Sequence, residues 1–330
     1  MKYSRPKQAV KKMLQKGRLR YLAHTDIARF SRYAALSSFD DDYEQAVARI
    51  MYNVHALEKG LARTADRRLG FGSKALSNLN GALRVYRRKG YDPAGFAWVE
   101  GLSVIQRYLE LHADHGHDVS FLAGIIDPEF LAPPAADDFR AAGTKVISRG
   151  DKLANASKNF YELAQGRSAV REFSGEPIDP DKVLRALDNA TKTPSVCNRQ
   201  GWRVYWTEDK ALAGQVLAHQ RGFGYPELPE VLLTITVSNN TFLSPVERNQ
   251  GFVDGGLFAM SVMYGLEHEG LAAVPLNACL YDRAQRAIRS LLDIDPSEVI
   301  VMFLAVGAFA DETVVPVSDR RSPETFVRRR

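Results

Sequence analysis

Asp254-Gly-Gly-Leu-Phe-Ala-Met-Ser-Val-Met-Tyr-Gly-Leu-Glu267 is apolar nearly all round when wound as a helix. A surface helix keeps its polar residues on one side, so this pattern belongs in a core or a subunit interface. The stretch lies between two continuous apolar runs, Val231-Leu-Leu-Thr-Ile-Thr-Val237 and Val299-Ile-Val-Met-Phe-Leu-Ala-Val-Gly307. Unbroken runs of this kind form strands covered on both faces. The fold class that follows is α+β, a covered sheet with a central buried helix. Further upstream, Asp179-Pro180 supplies an N-cap and first-turn pair for a helix carrying Val183, Leu184, Leu187 and Ala190 on one face.

Between that helix and a strand at Val204-Tyr205-Trp206 lies Thr193-Pro-Ser-Val-Cys-Asn-Arg-Gln-Gly-Trp-Arg203. Its amides (Asn198, Gln200), hydroxyls and Trp202 suit a planar heteroaromatic ring, whose edge needs polar partners and whose faces need apolar cover. A polar loop with a buried Trp is the alternative reading. Arg167-Ser-Ala-Val-Arg-Glu-Phe173 sets two guanidinium groups four residues apart with Ser168 between them, a mixture that suits a dianionic phosphate. Arg320-Arg321-Ser322-Pro323 adds positive charge. Taken singly, each of these arginines also reads as an ordinary surface residue.

The first half has a different character. Val47, Ile50, Met51, Val54, Leu57 and Leu61 have helical spacing over 43–61, behind the acids Asp40-Asp41-Asp42. Further helices are expected over 73–89 and 95–112, and His55, Glu58 and Lys59 read as helix-face pairs. His112, His115, His117 and Asp118 match no standard metal spacing and read as an inter-helix loop. Gly70-Phe-Gly72 imitates a dinucleotide fingerprint but follows no strand. Residues 127–150, with Pro128, Pro133-Pro134 and Gly143, read as a linker. The expected division is a helical N-terminal domain with linker over 1–150 and a second domain over 151–330.

The 330 residues, 45% hydrophobic and 25% charged, provide for a sizeable core. No apolar run is long enough to span a membrane and no signal segment opens the chain, so the expected location is cytoplasmic and no membrane partner is expected. Cys197 and Cys279 fit a reducing compartment and read as small buried residues rather than redox thiols. The net charge is +5, with basic residues crowded near the start and Arg328-Arg-Arg330 at the end. No zinc motif or RNA-binding aromatic signature accompanies them, which argues against nucleic acid.

Several of these segments resemble the FMN-dependent nitroreductase superfamily. Arg167-Ser-Ala-Val-Arg-Glu-Phe173 resembles its Arg-Arg-Ser-x-Arg-x-Phe opening. Pro194-Ser195-x-x-Asn198-x-Gln200-x-Trp202 is similar to its Pro-Ser-x-x-Asn-x-Gln-Pro-Trp segment. Asp254-Gly-Gly-Leu-Phe-Ala-Met resembles its Asp-x-Gly-x-Ala helix, followed by Gly270-Leu271 and Pro275-Leu276-Asn277. Arg321-x-Pro323 with Glu324 and Val327 is similar to its C-terminal pattern. The resemblance covers residues 160–327, in order.

It implies a mixed sheet flanked by helices, and FMN as cofactor. Arg167, Ser168, Arg171 and Arg321 would hold the phosphate. Pro194, Ser195, Asn198 and Gln200 would sit at the isoalloxazine and ribityl, commonly from the partner subunit. Leu276 and Asn277 occupy the segment whose backbone reaches flavin N5, and the helix from Asp254 would belong to a homodimer core. The activity implied is transfer of hydride or electrons between a donor such as NAD(P)H and a small organic acceptor: a nitro compound, a quinone or a biosynthetic intermediate. Ala169, Gly201 and Asp319 depart from the family pattern. They keep open an alternative, a flavin-binding or interaction protein without turnover. The added helical domain resembles that of members linked to polysaccharide biosynthesis.

Overall fold

The computed structural model describes residues 5–37, 42–132 and 142–330. The chain forms two compact units, each built from two stretches: residues 1–30 with 147–313, and residues 31–146 with 314–330. No described helix is long and apolar enough to cross a membrane.

The first helix, α1 (Arg5–Tyr33), has its last three residues in the helical unit, which continues with α2 (Tyr43–Leu61), α3 (Ser73–Arg88) and α4 (Phe96–Asp114). The periodic apolar positions do what their spacing predicts, and Val47, Ile50, Val54, Leu57 and Leu61 are buried against Leu79, Leu83 and Ile105. Ahead of α2, Asp42 donates its backbone N–H to Gln45 Oε1 at 3.1 Å, while Asp40 and Asp41 lie outside the described residues.

Three expectations for this half need correction. Glu58 is not a surface pair: it is 1% exposed and accepts backbone N–H groups from Gly143 and Ser318. Burial pushes its carboxyl above the ordinary value. His112 is part of the core rather than a loop. Its Nδ1 donates to Tyr108 O at 2.7 Å and its Nε2 accepts from Gly70 N at 2.9 Å, so the Gly70-x-Gly72 turn is tied to α4. The expected linker carries structure too. Phe130 is buried in a short 3-10 turn, and the β-branched run Thr144–Ser148 forms strand β1; Pro133-Pro134 and Ala135-Ala136 lie outside the described residues.

The other unit continues with α5 (Arg149–Leu153), α6 (Phe160–Gly166), α7 (Pro180–Ala190), β2 (Trp202–Thr207), α8 (Lys210–Gln220), β3 (Val231–Ser238), α9 (Gln250–His268), β4 (Ala272–Asn277), α10 (Asp282–Leu292) and β5 (Glu298–Gly307), and a last strand β6 (Glu312–Pro316) begins here and has its last three residues in the helical unit. The main sheet has the order β2-β3-β5-β4, with every pairing antiparallel. Every residue of β3 is buried, as its unbroken apolar run requires.

Helix α9 lies against this sheet with no space between them. A methyl group at Gly255 would come within 2.6 Å of Val301 Cγ2, and one at Gly265 within 2.8 Å of Ala186 Cα on α7. That second approach fixes which side of α7 faces inward: Val183, Ala186 and Ala190. Leu184, expected on the core side, is 53% exposed. The opposite side of α9 is apolar as well, with Phe252, Val253 and Leu257 about half exposed.

Near the end of α9, Glu267 pairs with Lys152, both buried. The Lys152 ammonium also donates to the carbonyl of Gly166, and Asn155 Nδ2 donates to Glu267 O at 2.8 Å. A buried charge without its partner is expensive, so Lys152→Met is expected to lower stability by about 3–5 kcal/mol. Adding Glu267→Leu restores most of the loss. Urea unfolding midpoints of the two variants check this.

Candidate functional site

Among the described residues, the 193–203 loop has an unusual backbone. Cys197 (φ 50°), Asn198 (φ 54°) and Gln200 (φ 50°) all adopt the left-handed region. L residues pay for this conformation, Asn least, and such outliers persist only where surroundings hold them. Here the holding groups are identifiable. Buried Asp254 of α9 accepts the Val196 N–H at 3.2 Å, and Gln250 Nε2 donates to the same carboxylate at 2.8 Å. Thr193 Oγ1 donates to Ser261 Oγ at 2.7 Å, and Ser195 Oγ accepts the Gln200 N–H at 2.9 Å. Arg199 forms a two-pronged pair with Glu247 and donates to Thr241 O at 2.6 Å. Trp202 is not buried outright; it stacks on Phe258 of α9 at 4.8 Å between centroids. What remains facing outward is the amide pair: Asn198 and Gln200 are exposed, with Gln200 Nε2 donating to Asn198 Oδ1 at 3.2 Å.

A second group gathers at β4, an edge strand. Val170 N donates to Ala273 O at 3.0 Å, which lays the 167–171 segment along β4. Burial alternates along it: Ser168 and Val170 are inside, Arg167, Ala169 and Arg171 half exposed. The two guanidinium-bearing residues therefore share a side, with Ala169 between them. At the end of β4, Leu276 is buried and Asn277 exposed, and Gln220 Nε2 donates to the Asn277 carbonyl at 3.0 Å. Arg321 belongs to the helical unit, where its guanidinium lies 3.7 Å from Glu44. Arg320 is folded onto its own backbone, donating to the carbonyls of Ser318 and Asp319. Cys197 and Cys279 are free and exposed, contrary to the expectation of small buried residues.

Against known proteins, residues 164–224 match the Nitroreductase family. That match lies within the second half of the chain. An iodotyrosine deiodinase of Thermotoga neapolitana is 37% identical over 59 residues, 18% of this chain and 32% of that protein. A candidate NAD(P)H nitroreductase of Streptococcus pyogenes serotype M6 is 24% identical over 191 residues, 48% of this chain and 92% of that protein. The chain thus spans about a third of the first relative and nearly all of the second. Among solved structures, an FMN-dependent nitroreductase of Clostridium difficile R20291 is similar over 51% of this chain and 98% of its own, with 14% identity and a TM-score of 0.45. The family match takes in Arg167, Ser168, Arg171 and the whole left-handed loop, while Leu276, Asn277 and Arg321 lie beyond it.

Sequence reasoning missed the supports of the candidate site. Asp254 stood out only as a motif letter; its bond to Val196 joins residues 58 apart in sequence. Glu247 gave no signal, since it sits in a segment without periodicity.

The family departure at Gly201 has a local cause. A Cβ there would approach Thr241 Oγ1 at 2.7 Å and Val237 Cγ1 at 3.2 Å. Gly201→Ala is therefore expected to cost about 1–3 kcal/mol by overpacking. Thr241→Ala in the same chain recovers much of that, read as thermal unfolding midpoints. The Arg199 guanidinium and the backbone N–H of Leu243 hold the Glu247 carboxyl down to about 2. A depressed carboxylate contributes stability above its unfolded value, and that contribution disappears as pH falls towards the folded one. Between pH 4.5 and 2 the wild type should lose more stability than Glu247→Gln, measured as unfolding midpoints across that range.

Proposed function

We propose that this protein is an FMN-dependent oxidoreductase that passes hydride or electrons from a donor such as NADH or NADPH to a small organic acceptor, such as a nitro compound, a quinone or a biosynthetic intermediate. The family match supports an oxidoreductase, and the 193–203 loop carries the finer reading. Three left-handed residues, held in place from α9 and from Glu247, turn two amides outward where a ring's edge atoms need partners.

The residues present fit the cofactor. Arg167 and Arg171, half exposed on one side of the segment along β4, would hold the phosphate, with Ser168 beside them. Pro194, Ser195, Asn198 and Gln200 would meet the ring and ribityl. The backbone at Leu276–Asn277 would address N5. When bound, FMN supplies a carrier that accepts hydride and releases electrons to an acceptor. Asp254, Arg199 and Glu247 keep the loop in shape, so little rearrangement accompanies binding. The three departures are tolerated in this reading: Gly201 is required by Thr241, Ala169 removes one hydroxyl, and Asp319 leaves phosphate charge to the arginines.

Two copies are part of the proposal. The loop is anchored at Asp254 and the arginine segment, through Lys152 and Gly166, at Glu267, thirteen residues further along α9. At 1.5 Å per residue these anchors are roughly 20 Å apart along the helix, which favours one flavin taking its phosphate grip and its loop from different subunits. The half-exposed Phe252, Val253 and Leu257 on α9 provide the apolar face for that homodimer.

The test is the absorption spectrum of the purified protein, before and after anaerobic NADH or NADPH. Flavin bands that bleach, then return on adding a quinone or nitroarene, are the expected result. Protein that neither contains nor takes up FMN would overturn the reading. Arg167→Ala and Arg171→Ala should each weaken FMN binding about tenfold or more, by loss of charge-assisted hydrogen bonds.

A further inference from the structure

A cavity of about 510 Å³ lies beside the proposed N5 segment, between the end of α8 and the start of α10. Its walls include His219, Gln220, Arg221, Cys279, Tyr281 and Arg283, and no lining residue is a carboxylate. The nearest acid in sequence, Asp282, pairs instead with Arg286. Among the described residues, no ion pair is recorded for Arg221 or Arg283. Two guanidinium groups from different elements thus share one hollow without a carboxylate to neutralise them.

The cavity is tied to the candidate site. Gln220, itself 7% exposed, donates to the Asn277 carbonyl at 3.0 Å and accepts the Gly222 N–H. This pins the wall of the cavity to the end of β4. Arg221 follows α8 in the left-handed region (φ 65°), a position where Gly or Asn is the usual occupant. An arginine there gives up backbone ease and directs a cation towards the same hollow that Arg283 lines. The volume lies within the range of about 300–1,000 Å³ typical of small-molecule sites.

We propose that this cavity is a subsite for the anionic group, carboxylate or phosphate, of one of the two small molecules that react at the flavin. The planar forks of Arg221 and Arg283 suit either group, and the imidazole of His219 and the phenol of Tyr281 add donors. The idea deepens the oxidoreductase reading and rests on it for the word "react"; anion binding itself does not depend on flavin.

The test compares wild type with Arg221→Asn/Arg283→Gln, where Asn suits the left-handed backbone. With NADH as donor, the ratio of kcat/KM for 4-nitrobenzoate to that for nitrobenzene is expected to fall about tenfold or more in the variant. A rise in the KM for NADH instead would assign the subsite to the phosphates of the donor, and also supports it. If neither quantity moves, the proposal is overturned. Calorimetric titration of the purified protein with 4-nitrobenzoate and with inorganic pyrophosphate separates the two ideas. Binding by wild type that the variant loses supports the subsite even in protein without flavin, where the oxidoreductase reading alone fails. No binding of either probe at millimolar concentration overturns the subsite while leaving that reading intact. If the double variant does not fold, the single changes carry the same comparison.

Discussion

How closely a helix lies on a sheet depends on the side chains between them, and α9 has almost none at the point that matters. Gly255 leaves room for Val301, and Gly265 for the backbone of Ala186. The helix therefore sits deep, and its two ends carry polar groups into the interior. Asp254, beside Gly255, reaches Val196; Glu267, beside Leu266, reaches Lys152 and Asn155. Buried carboxylates are costly unless paired or hydrogen-bonded, so each one dictates a partner. One partner is the left-handed loop and the other leads through Gly166 to Arg167. The close seat of a single helix thus positions both halves of the candidate site.

This arrangement explains which parts of the fold were legible in the sequence. Periodicity is written wherever one side of an element is covered and the other wet, as in α2 with Val47, Ile50, Val54 and Leu57, or wherever both are covered, as in β3. It fails where packing is decided by a small residue on a neighbour. Leu184 and Ala186 are both apolar, and only the backbone contact with Gly265 reveals that the alanine faces in. Glu58 and His112 were misread for a related reason. A charged or polar residue on a helix looks solvated until distant backbone groups, Gly143 and Ser318 or Gly70, are known to need its acceptors.

The candidate site was legible in its chemistry and not in its support. Arg167, Arg171, Asn198 and Gln200 carry functional groups that suit a phosphate and a ring edge at any position. The left-handed backbone of Cys197, Asn198 and Gln200 is a property of three φ angles for which only Asn has a mild preference, so no residue type marks it. Its causes, Asp254 and the Arg199–Glu247 pair, are contacts across 58 and 48 residues.

The same logic bears on the departures from the family pattern. A missing motif residue reads as a weakened site when the motif is considered alone. Gly201 shows why that inference can fail: Thr241 fills the space next to it and donates its hydroxyl to Ser238 O at 2.7 Å, while Ser238 N donates to Gly201 O at 2.9 Å. The loop and the end of β3 are fitted to each other around the absent side chain. The turn is therefore held by Thr241, Ser238 and the Arg199 bond to Thr241 O rather than by a proline ring. Rigidity in this loop comes from contacts instead of from a fixed φ. Contacts of that kind break locally under acid or mutation, and that places the strength of the candidate site on residues outside its motif.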